Sequence, residues 1–310
     1  MTMSHNTISR RTFLTTLALG AATASLPKEG RGARDKHNIG LALGGGGARG
    51  LAHVLMLEVF DELGVKPRRI AGTSIGAIMG ALYASGLSAK EIRELIATWM
   101  NTEGTKWSRA MVSMNIFKWI DLIDPGLGQG GLINTEKFLG FLHQAIKQPR
   151  FEDLKIPLKV VATDYWKGDQ VVFAKGELLP AVKASMALPG IFDPVAIGDR
   201  IFIDGGVVNP LPYDLLLKDS GTTIAIDVSG TVADKVGEVP SFFDAIFHTF
   251  HVMGQAILAD KLQLHRPDIY IKPDILAIKA LDFLKVEDTY RQAAKAKEVF
   301  KRRLGELLAS

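Results

Sequence analysis

Residues 39–50, Ile39-Gly40-Leu41-Ala42-Leu43-Gly44-Gly45-Gly46-Gly47-Ala48-Arg49-Gly50, carry a short apolar run into four consecutive glycines. Apolar residues then recur at Leu51, Val54, Leu55, Val59 and Leu63, which is helical spacing, so the stretch reads as strand, glycine loop, helix. A second unit follows at once. The short run Arg69 to Ala71 leads through Gly72-Thr73-Ser74-Ile75-Gly76 into a helix of small residues that ends near Ser85-Gly86. Two such units in succession call for adjacent parallel strands, because a parallel pair needs a helical crossover between its members.

Outward from this pair the alternation continues. Ser88-Ala89-Lys90-Glu91 matches a capping box opening a helix to about Met100, and residues 107–123 and 135–147 read as further helices. Residues 158–163 and 170–174 are β-rich on either side of a Lys-Gly-Asp turn, and 194–197 with 200–203 flank Gly198-Asp199 as a hairpin. A buried-strand pattern at 222–228, a long helix at 242–264, a short strand at 268–271 and a helix at 286–308 complete the chain. The expected fold class is α/β: one domain over residues 37–310, with a mostly parallel central sheet covered by helices on both faces.

Composition narrows the chemistry. With no cysteine among 310 residues there is no disulfide, thiolate metal site or cysteine nucleophile. The net charge of +4 lies wholly in the first 36 residues, where six basic side chains face Glu29 and Asp35. The remainder is neutral, so no nucleic-acid-binding surface is expected.

Three segments carry chemistry. Gly45 to Gly50 satisfies G-x-G-x-x-G between strand and helix and so could cradle a dinucleotide, but the end of the second strand, Ile70 to Ser74, lacks the acid that holds a ribose. The same loop could instead offer free N–H groups to a developing oxyanion. Gly72 to Gly76 is G-x-S-x-G at a strand-to-helix turn, the pattern of a nucleophile elbow, and also that of a serine-capped helix. Gly46 precedes Ser74 by 28 residues, one βα unit, so the two loops emerge side by side and set an anion hole beside a serine. Asp204, in Ile203-Asp204-Gly205-Gly206, ends a hairpin strand either as an ordinary turn residue or as the base such a serine needs.

In these segments the chain resembles the patatin-like phospholipases. The family's G-G-G-x-R-G is met by Gly45 to Gly50, its elbow by Gly72 to Gly76 and its D-G-G/A motif by Asp204 to Gly206, while residues 184–190 match the segment ahead of the aspartate. The opening glycine run and the tail Pro267-Asp268-Ile269-Tyr270-Ile271-Lys272-Pro273 look most like the bacterial branch related to neuropathy target esterase. The resemblance implies a serine acyl hydrolase acting on lipid esters, phospholipid or lysophospholipid, through a Ser74–Asp204 dyad and an acyl-enzyme. Gly45, Gly46 and Gly47 would form the oxyanion hole, Gly72 and Gly76 would shape the elbow, and Arg49 would brace the glycine loop.

The alternative mechanism is a triad of the α/β-hydrolase type, with histidine after the aspartate as in His248, His251 and His265. No histidine pair has supporting acids at ligand spacing, so no metal is expected; nor is a cofactor expected. The aromatic and Met-rich residues 107–123 read as a core helix or as a lipid-facing cap, which would make a transient membrane-surface contact. Oligomeric state is not readable.

The N-terminus reads as an address. Arg10-Arg11 leads into a mildly apolar run of about 12 residues ending in Ala22-Thr23-Ala24, too short for the roughly 20 residues of a membrane span. Residues 1–24 are thus expected to be an export signal of twin-arginine type with a periplasmic destination, the alternative being a frayed N-terminus on a cytoplasmic protein. Residues 25–36 read as a linker.

Overall fold

A computed structural model describes residues 35–100, 135–231 and 242–310. The expected export signal, most of the linker and the 107–123 helix lie outside the described residues.

Eight strands form one sheet: β1 (Ile39–Leu43), β2 (Arg69–Thr73), β3 (Leu158–Asp164), β4 (Gln170–Phe173), β5 (Val195–Ile197), β6 (Arg200–Asp204), β7 (Thr222–Ile226) and β8 (Ile269–Ile271). Hydrogen-bonded neighbours follow β5-β6-β3-β2-β1-β7-β8, with β4 also paired to β3. The β3-β2-β1-β7-β8 run is parallel throughout, and β4, β6 and β5 add antiparallel pairs.

The strand residues alternate between two cores. Ile39, Leu41 and Leu43 of β1 face a large apolar cluster built with α1 (His53–Glu62), α2 (Ile75–Ala84) and α7 (Val286–Ala309), where Phe60 meets Phe300 edge to face. On the other face Ala42, Ala71 and Ala225 sit in register across β1, β2 and β7. Their small side chains let residues 211–216 and the long helix α6 (Phe242–Leu264), through Leu258 and Leu262, pack close to the sheet.

Between these elements stand α3 (Ala89–Trp99), opened by a complete Ser88/Glu91 capping box, α4 (Thr135–Ala145) and α5 (Leu178–Ser185). Two local readings differ from expectation. The helix after the glycine loop begins as a 3₁₀ turn over Gly47–Ala52 before α1, and Ala48 N–H, one of the first-turn donors with no partner inside the helix, donates to Ala280 O at 2.7 Å. Helix α5 had no signal of its own: its eight residues are shorter than a periodicity argument can use.

Candidate active site

Ser74 stands between β2 and α2 at φ 56° and ψ −124°, a backbone conformation that costs a residue with a Cβ on the order of 1–3 kcal/mol. Its surroundings impose it. A Cβ added to Gly72 would lie 2.5 Å from Gly76 O, and one on Gly76 would lie 2.1 Å from Leu43 O, so the turn closes only with glycine at both ends. Ser74 O accepts from Ala77 N and Ile78 N and starts the helix, while Ser74 N–H donates to Ser185 Oγ at 2.9 Å.

The sheet register brings Asp204 to this serine. β3 has three partners and two edges: β2 pairs with residues 158–161, β6 with 162–164, and β4 overlaps both from the opposite side. β2 and β6 therefore occupy the same edge of β3 in succession and run toward each other. Thr73, the last residue of β2, pairs with Val161, and Asp204, the last of β6, pairs with Ala162. The C-terminal ends of two strands meet head on, and Ser74 Oγ donates to Asp204 Oδ2 at 2.6 Å.

Asp204 is 4% exposed. Burial pushes its carboxyl up to about 6, against the pull of the hydrogen bonds from Ser74 and from Gly206 N, which donates to Oδ1 at 2.7 Å. Its backbone is fixed on both sides, since Thr163 Oγ1 donates to Asp204 O and Asp204 N donates to Ala187 O. The 184–190 segment thus supports both partners: Ser185 holds the serine's backbone and Ala187 the aspartate's.

The glycine loop comes within van der Waals reach, a Cβ on Gly45 falling 3.4 Å from Ser74 Cβ. Its N–H groups are unequal. Gly44 N donates to Ile226 O, Gly45 N to Pro210 O at 2.9 Å and Ala48 N to Ala280 O. Gly45 N–H is therefore already engaged, which narrows the expected set of free donors from Gly45, Gly46 and Gly47 to Gly46 and Gly47. Arg49 Nε donates to Gly46 O at 3.2 Å, the geometry of a brace. Burial lowers the Arg49 pKa, opposed by Asp227 and Asp282. His53, fully buried, bonds Gly44 O through Nε2 at 2.9 Å and is held neutral, burial pushing it down to about 4.

A cavity of about 210 Å³ opens on Ser74, Asp204 and the glycine loop. Ile75, Ile78, Met79 and Leu82 line it as one stripe of α2, faced by Ile96 and Trp99 of α3. Such a wall suits an acyl chain. Of the three histidines considered, His251 lines the cavity, pushed down to about 4 chiefly by burial and then by Arg49 and Lys272, while His248 is exposed and stacks on it. Among the described residues no histidine bonds to Ser74 or Asp204; both carboxylate oxygens are taken by Ser74 and Gly206. His265 lies beyond the far end of α6, its carbonyl accepting from Tyr213 OH. Among the described residues no three His, Asp or Glu side chains cluster as metal ligands, and no helix is long and apolar enough to cross a membrane.

Sequence reasoning missed Ser185, His53 and the carbonyls of Asn209 and Pro210. Ser185 sits in the 184–190 segment already noticed and His53 just past the glycine motif, but only the fold shows which backbone groups they reach.

The model of the patatin-like phospholipase family matches residues 41–217. An "uncharacterized NTE family protein" of Mycobacterium tuberculosis is 33% identical over 196 residues, 63% of this chain and 50% of that protein. The neuropathy target esterase sws of Drosophila melanogaster is 34% identical over 196 residues, 62% of this chain and 13% of that protein. The chain spans half or less of the length of these relatives. Among solved structures, VipD from Legionella pneumophila aligns with a TM-score of 0.47 at 14% identity, over 84% of this chain and 66% of that one.

Proposed function

Because the chain belongs to the patatin-like phospholipase family, we propose that it is a serine acyl hydrolase of lipid esters, phospholipid or lysophospholipid, working through a Ser74–Asp204 dyad. The observation that carries this reading is the 2.6 Å hydrogen bond from Ser74 Oγ to a buried carboxylate at the mouth of an apolar cavity. Asp204 Oδ2 takes the Ser74 proton as Oγ attacks the ester carbonyl, and Gly46 and Gly47 N–H receive the oxyanion. Collapse of the tetrahedral species expels the alcohol, to which Asp204 returns the proton. Water, deprotonated by Asp204, then attacks the acyl-enzyme; the second tetrahedral species releases the fatty acid, and Ser74 recovers its proton from Asp204. Dinucleotide binding is disfavoured by the absence of an acid at the end of β2 and by the apolar cavity wall.

The mechanism sets a pH limb. The working form of Asp204 is the carboxylate, so kcat/KM for a soluble ester rises through pH 6 and is lost below it, an acidic limb near 6 where an unperturbed aspartate would give one near 4. Leucine in place of His251 leaves that limb where it is and turnover within about tenfold, since the 10²–10⁴ of a general base belongs to Asp204. A limb that vanishes or shifts with His251 transfers the base role to histidine.

We also propose export through residues 1–24, on the strength of Arg10-Arg11, the short apolar run and Ala22-Thr23-Ala24. Lysine at both positions 10 and 11 keeps the charge but not the paired guanidinium groups and is expected to hold the precursor in the cytoplasm on cell fractionation. Unchanged fractionation argues against the twin-arginine route.

A further inference from the structure

Two consecutive carbonyls tie together the loops on which the proposed chemistry depends. Asn209 O accepts from Thr73 Oγ1 at 2.8 Å, one residue before the nucleophile. Pro210 O accepts from Gly45 N at 2.9 Å, one residue before the free donors of the glycine loop. The same segment follows directly from Asp204, with Asn209 N donating to Gly205 O at 2.9 Å. Any displacement of Asn209-Pro210 therefore changes the spacing between oxyanion donors and serine.

This segment is held by a cation that the mechanism does not otherwise use. Asn209 is 2% exposed; its Nδ2 donates to Gln170 Oε1 at 2.6 Å and to Asp214 Oδ1 at 3.1 Å. Its Oδ1 accepts from Lys261 Nζ at 2.6 Å. Lys261, on α6, also donates to Leu211 O at 2.9 Å and to Asp214 Oδ1. Its three N–H donors thus meet three acceptors within residues 209–214. A largely buried ammonium is costly unless every donor is matched, and here the matching is spent on one short loop.

We propose that Lys261 is a positioning residue for acyl transfer: by clamping residues 209–214 it fixes the Gly46 and Gly47 N–H groups relative to Ser74 Oγ. The inference rests on the Ser74–Asp204 reading above. A lysine that merely stabilised the core would alter melting temperature without a specific kinetic signature, whereas misplacement by about 1 Å at reacting groups costs on the order of 10²-fold in rate.

The test is steady-state kinetics on a soluble ester, with melting temperatures alongside, for the wild type, Ser74→Ala, Thr73→Val, Lys261→Met and the Thr73→Val/Lys261→Met double variant. Thr73→Val removes only the hydroxyl that grips Asn209 O. Thr73→Val and Lys261→Met are each expected to lose roughly tenfold or more in kcat with KM changed by less than about twofold. The double variant is expected to fall only about two- to threefold below Lys261→Met, because both changes release the same loop. Effects that multiply independently, or a rise in KM with kcat intact, overturn the proposal. Should Lys261→Met fail to fold, an unchanged kcat in Thr73→Val overturns it alone. Absence of Ser74-dependent turnover in the wild type overturns the acyl-hydrolase reading, and this inference with it.

Discussion

Ser74→Ala is expected to lower ester turnover by a factor on the order of 10⁶ in a protein that still folds, the loss seen when the nucleophile of a serine hydrolase is removed. The fold should tolerate the change, since the elbow is set by Gly72, Gly76 and the hydrogen bond from Ser74 N–H, none of which involves the hydroxyl. Asp204→Asn is the stricter companion. It keeps the shape and leaves an oxygen to accept from Gly206 N, but an amide cannot take the serine proton, so a loss of about 10⁴, the upper end for a general base, is expected. Because asparagine also removes a buried carboxylate whose pKa is raised, the variant should unfold no more easily than the wild type near neutral pH. Circular dichroism and thermal melts beside the rates separate lost chemistry from lost structure; substantial turnover in a folded Ser74→Ala protein would end the assignment.

The second large effect lies in the glycine loop. A Cβ at Gly46 would fall 2.4 Å from Val228 O, a backbone atom that cannot swing aside like the end of a side chain. Gly46→Val must therefore move the loop away from Val228, and Gly46 N–H moves with it. Losing one oxyanion donor costs on the order of 10²–10³ in kcat, and a misplaced loop affects Gly47 as well, so a fall of at least 10² is expected. On the proposed reading the acyl chain would lie along the apolar stripe of α2 rather than on the glycine loop, so KM is expected to change much less than kcat. A variant with unchanged kcat would remove the glycine loop from the mechanism.

The parts of this molecule that are legible in its sequence are those in which a backbone requirement dictates residue type. Four glycines after an apolar strand and G-x-S-x-G after the next one state both the turns and their adjacency, because β1 and β2 are neighbours in the sheet. The capping box at Ser88 likewise announces α3 from four residues. What stayed hidden depends on pairing between distant segments. Nothing local says that β6 takes over the edge of β3 where β2 stops, yet this is what delivers Asp204 to Ser74 across 130 residues of chain. Nor does the run Gly45-Gly46-Gly47 show that Pro210 O occupies the first of its N–H groups. Nor does anything in the sequence of the long helix single out Lys261; only the fold places it on Asn209.

On the mechanism proposed above, Ser74 is an activated nucleophile facing a preorganised pair of N–H donors. Covalent labelling with a fluorophosphonate ester, followed by peptide mass spectrometry, tests it most directly, since phosphonylation requires the activated hydroxyl and leaves an anionic oxygen for the donors to hold. One label per chain is expected, on the peptide containing Ser74, absent from Ser74→Ala and much slower in Gly46→Val. A folded wild-type protein that takes no label, or takes it on another residue, would contradict it.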